Sequence, residues 1–132
     1  MKAVVLFSST ALVTGLHNFY WLMSVVNGAP VPLLNCIAML GSVALLGAAV
    51  LVLLRPRVAA RIGLAGSLLL WVFYAPLIVV SFLMPFSALQ EVKADAMFHD
   101  YVPLVGMLIG PLLLIACTVH STLLFRRSSS SA

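Results

Sequence analysis

Acidic side chains are almost missing from this chain: its 132 residues include three, Glu91, Asp95 and Asp100, all grouped in one short stretch. No Asp, Glu, Lys or Arg interrupts any of the long apolar runs. That absence argues against an exchanger that couples to protons or sodium through an intramembrane carboxylate, and against a channel with a charged filter. It argues equally against Ser-His-Asp catalysis, because no carboxylate shares the depth of the apolar-run histidine. Cysteine is scarce too. Cys36 opens the second apolar run and Cys117 lies well inside the fourth. Alternating spans put them at opposite depths, beyond the roughly 7 Å between Cα atoms that a disulfide tolerates, so both read as small packing residues.

What the chain does contain is apolar surface. Hydrophobic residues make up 64% of it, charged residues 8%, and the mean hydropathy is +1.22, well outside the balance of a soluble domain. A hydrocarbon core about 30 Å thick takes roughly 20 helical residues to cross. Four stretches qualify, at about 4–26, 32–54, 61–83 and 102–125. The fold expected is therefore all-α: one domain over 1–127, an antiparallel bundle of four transmembrane helices, followed by a disordered Ser-rich tail at 128–132. Met1-Lys2 before an apolar run resembles the start of a signal peptide, but the run continues to Val26 without a clear small-x-small cleavage site. An uncleaved span fits better.

The basic residues fix an orientation. Lys2, Arg55, Arg57, Arg61, Arg126 and Arg127 fall at alternate ends of the spans, while Lys93 joins the acids in the remaining charged loop. Basic loops are retained in the cytoplasm, so both termini are expected there, in a plasma (inner) membrane. The pI of about 9.6 then reflects topology and lipid headgroups rather than a nucleic-acid partner. In the outer loop between spans three and four, Ser87 to Gln90 has capping-box spacing, and Leu89, Val92 and Ala96 follow at helical intervals. A short interfacial helix is expected there, with Asp100 capping span four and Pro103 in its first turn.

Small residues recur every fourth position in each span. Gly106 and Gly110 form a GxxxG pair; Ala59, Gly63 and Ser67 line span three; Ala11 and Gly15, and Ala44 and Ala48, do the same in spans one and two. Membrane helices associate by close approach of such strips, either within one bundle or against another subunit. The Gly-Ser pairs Gly41-Ser42 and Gly66-Ser67 are too little to argue an inverted repeat.

Polar chemistry concentrates in span one. Thr10, Thr14, His17, Trp21 and Ser24 share one helical stripe, which must face protein or water rather than lipid. Spans one and three run the same way, and at 1.5 Å per residue His17 lies ~20 Å from Val4 while Tyr74 lies ~18 Å from Ile62. They are level. Pro76 and Pro111 leave the carbonyls of Val72 and Met107 without their helical donors, a common way for a bundle to open a pocket. One expectation is thus a midplane cavity lined by Thr14, His17, Asn18, Trp71 and Tyr74, holding a quinone, lipid or pigment. The plainer one is that His17 and Tyr74 bond each other and tie helices together. His120 lies ~12 Å deeper than His17, which separates them too far to share one haem iron; a single-His haem or chlorophyll-type site on His17 stays open. His99, beside Asp100, reads as an interfacial residue.

No metal set and no catalytic set emerges, so the chain reads as non-enzymatic. The leading expectation is an accessory or scaffold subunit of a larger membrane complex, or a homo-oligomer, with the bilayer as its solvent. The alternative is a carrier for a small hydrophobic molecule. An enzyme using His17 and Tyr74 as acid and base comes third.

Overall fold

The structure is a computed structural model and describes residues 1–25, 33–83 and 98–130. Among the described residues every regular element is an α-helix: α1 (Lys2–Val25), α2 (Leu33–Leu51), α3 (Pro56–Leu83) and α4 (Phe98–Ser130). All four are long and apolar enough to cross a membrane. The expected interfacial helix falls at residues outside those described.

Helix ends depart from the hydropathy-based spans for local reasons. Proline starts α3, where its fixed φ suits a first turn and its missing N–H costs nothing, so the helix begins five residues before the expected Arg61. The turn from Val52 to Leu54 closes through the Arg55 N–H to the Leu51 carbonyl at 2.7 Å. Asp100 lies inside α4 rather than at its cap, because the helix starts at Phe98. At the other end, α4 runs three residues past the expected boundary at 127. There the Ser129 and Ser130 hydroxyls donate back to the carbonyls of Phe125 and Arg127, at 3.0 Å each. The helix thus takes in residues 128–130, the first three of the Ser-rich stretch.

Packing joins α1 to α2, α2 to α3, α3 to α4, and α4 back to α1. The distribution of side chains is inverted relative to a soluble protein. Thr10, Thr14, His17, Asn18, Asn35, Ser42, Ser67 and Ser121 are buried, whereas Leu12, Leu40, Val43, Val50, Leu68, Leu108 and Leu112 are each more than half exposed. A bilayer favours this arrangement, since lipid tails are as apolar as leucine and polar groups must find partners inside.

Contacts also fix the register of the basic end. Near that end the Phe7 ring and the Ser121 hydroxyl both press on Gly63, and His120 sits edge-on to Phe7 with ring centroids 6.1 Å apart. Lys2, Arg57, Arg61 and Arg126 each lie within six residues of one of these contacts, and all four are exposed. One end of the molecule therefore collects them.

Candidate functional site

His17 is the centre of the polar interior, 1% exposed and held at both ring nitrogens. One turn further along α1, the Trp21 indole N–H donates to His17 Nε2 at 3.0 Å. From α3, the Tyr74 hydroxyl lies 2.8 Å from His17 Nδ1. Indole nitrogen can only donate, so Nε2 carries the lone pair and the imidazole proton belongs on Nδ1. Nδ1–H then donates to the Tyr74 oxygen, and the Tyr74 proton points away from His17. An imidazolium would set a second N–H against that of Trp21. The chain of donors thus runs Trp21 to His17 to Tyr74 and keeps the group neutral. A direct check is the side-chain nitrogen spectrum of the labelled protein: His17 should show a protonated Nδ1 and an unprotonated Nε2. Trp21→Phe should release the constraint and admit the other tautomer.

Aromatic rings wall the group. Phe73 lies 6.1 Å from His17 and 5.1 Å from Tyr74 by ring centroids, both nearly edge-on, and the His17 and Tyr74 rings are themselves 5.7 Å apart. α4 closes the remaining side. Gly106 rests against the His17 ring, and a Cβ placed at Gly110 would come within 2.9 Å of the Tyr74 hydroxyl. Where the sequence suggested a cavity, the side facing α4 is filled by glycine backbone. The GxxxG pair works inside this chain.

The five residues expected to line that cavity separate into three groups. His17 and Tyr74 bond each other. Thr14 bonds across to Ser42 of α2 at 2.9 Å, and Asn18 Nδ2 donates to the Thr14 carbonyl at 2.8 Å. Trp71 is engaged elsewhere, its indole N–H donating to Thr118 Oγ1 of α4 at 3.0 Å. Below them Ser67, whose hydroxyl donates to the Gly63 carbonyl, also approaches Cys117 Sγ at 3.5 Å. Cys36 is exposed and Cys117 buried, and both are free thiols. Among the described residues, three buried atoms have no hydrogen-bond partner: Asn18 Oδ1, His120 Nε2 and Ser121 Oγ.

No family model, curated protein or solved structure matches this chain. Its chemistry rests on the geometry alone. The lone pair of His17 Nε2 is already used by Trp21, so haem or a pigment metal would first have to displace that indole. His120 of α4 packs on Phe7, which precedes His17 by ten residues on α1, about 15 Å at the helical rise. Among the described residues no three His, Cys, Asp or Glu side chains converge to hold a metal. What the cluster does supply is a directional tie between α1 and α3 that α4 clasps through two glycines.

Sequence reasoning placed Trp21 in the polar stripe but not in the site, although an aromatic donor one turn from a buried histidine was the available signal. Ser42 and Thr118 were missed for a different reason. Their roles depend on how α2 and α4 are rotated about their own axes, which spacing along one helix does not reveal.

Proposed function

We propose that this protein is a non-enzymatic integral membrane protein that acts by association, as an accessory or scaffold subunit of a larger membrane complex. In this reading its helices form an antiparallel bundle in a plasma membrane, both termini are cytoplasmic, and a short interfacial helix lies in the outer loop. The observation that carries it is the closure of the interior: both His17 nitrogens have partners, and Gly106 and Gly110 fill the side where a substrate would enter. Gly47 on α2 adds support from the outside. Nothing lies within 4 Å of where its side chain would be, beside the exposed Val43, Leu46 and Val50, so this small residue is left for a neighbour. Affinity purification in mild detergent followed by native mass measurement should give a complex of fixed stoichiometry that Gly47→Leu disperses while helicity is kept. A lone monomer in both cases overturns the proposal.

One observation favours a second reading, a carrier for a small hydrophobic molecule bound near Thr14, His17, Asn18, Trp71 and Tyr74. Asn18 Oδ1 is a fully buried acceptor without a donor, and a ligand hydroxyl from a quinol, lipid or pigment would satisfy it. Comparing the absorption spectrum and organic extract of the purified protein with those of Asn18→Leu tests this reading. A molecule present in the first and lost from the second supports the carrier, and an identical pair of extracts rejects it.

A further inference from the structure

Between α1 and α4, away from the His17 cluster, an open groove of about 470 Å³ is lined by Met1, Lys2, Val5, Leu6, Ser9 and Leu113. Its size falls within the roughly 300–1,000 Å³ of ordinary small-molecule sites. It runs about 10 Å along α1 from Lys2 to Ser9 at the helical rise. The walls are apolar apart from Ser9 at one end, and the charge is at the other, where Lys2 stands. α1 has no acidic residue in its first turn, so nothing there offsets the positive end of the helix dipole. The register set by Phe7, Gly63 and Ser121 brings Arg126 to the same end of the molecule. An apolar slot with a cationic mouth, on helices able to cross a membrane, matches one chemistry well: an acyl chain attached to a negatively charged headgroup.

We propose that this groove binds one anionic phospholipid, with an acyl chain along Val5, Leu6 and Leu113 and the phosphate at Lys2. The site rests on the membrane-spanning reading but not on any partner subunit. Basic grooves between transmembrane helices on the cytoplasmic side are suited to such headgroups, each basic residue favouring the anionic lipid by about fivefold.

The test uses the full chain, delipidated in mild detergent and then offered phosphatidylglycerol or phosphatidylcholine with identical acyl chains. Bound lipid is counted by native mass spectrometry. One phosphatidylglycerol should be retained about fivefold more strongly than phosphatidylcholine, and Lys2→Gln should abolish that preference. Ser9→Phe, which plugs the groove, should remove both lipids. Equal retention of the two lipids by the unaltered protein overturns the proposal, and so does a preference that survives Lys2→Gln. Because Lys2 is exposed, its replacement decides the matter even if Ser9→Phe fails to fold. Resistance of the protein to alkaline extraction from membranes is measured alongside. A chain that stays embedded yet shows no lipid preference loses the groove proposal alone, whereas one extracted as a peripheral protein loses the membrane reading as well.

Discussion

Gly41→Ala should destabilise the protein by about 1–3 kcal/mol relative to Gly47→Ala, a substitution of the same kind in the same helix whose propensity gain cancels in the comparison. At Gly41 a Cβ would stand 2.8 Å from the Gly66 carbonyl oxygen, 2.9 Å from Leu70 Cγ and 3.2 Å from Leu69 Cβ. The nearest obstacle is backbone, so α2 and α3 must move apart as rigid bodies. The contact is reciprocal, since a Cβ at Gly66 would meet the Gly41 carbonyl oxygen at 2.9 Å. Overpacking of this sort costs about 1–3 kcal/mol. Gly47 faces open space, and alanine there gains up to about 1 kcal/mol of helix propensity. Unfolding in mixed micelles, followed by loss of helicity as denaturing detergent is added, measures both variants on one scale. Equal stabilities would mean that α2 and α3 do not cross at these glycines.

The second large effect is at Gly106. A Cβ there would run into the His17 ring, which Trp21 and Tyr74 hold on both sides and which therefore cannot swing aside cheaply. Gly106→Ala should cost about 2–3 kcal/mol. His17→Ala should cost about 2–4 kcal/mol by leaving a cavity and two unpaired polar groups. Combined, the two should fall short of their sum by about 2 kcal/mol, because removing the ring creates the room that the new methyl needs. Strict additivity would separate Gly106 from His17 and remove the clasp that closes the site.

How much of this was readable beforehand depends on the physics of each feature. Hydropathy and charge announced four spans and a neutral interior, because a bilayer penalises the alternatives by several kcal/mol per misplaced charge. The level placement of His17 and Tyr74 followed from the helical rise, which does not vary with context. Gly41 and Gly66 are a different case. Each stood out as half of a Gly-Ser pair, yet their contact depends on the rotation of α2 against α3, and no periodicity within either helix carries that information. Trp71 shows the same limit, being deep enough for the His17 group but turned toward Thr118. Proline at position 56 could have marked the start of α3. Hydropathy overlooked it because Arg55, Arg57 and Arg61 lower the average across the first turns.

The hydroxyl bonds bear on the order in which this molecule is assembled. Thr10, Thr14, Ser67, Thr118 and Thr122 each donate to a carbonyl four residues earlier in their own helix, at 2.7 to 2.8 Å, which leaves the Ser42 hydroxyl to donate to Thr14. The Trp21 indole N–H likewise finds its acceptor, His17 Nε2, within α1. Separate helices can thus enter lipid one at a time with these donors already occupied, as membrane insertion demands. Tyr74 and Trp71 differ. Their partners, His17 of α1 and Thr118 of α4, lie on other helices, so α3 gains from meeting both neighbours, and those bonds belong to assembly rather than to insertion.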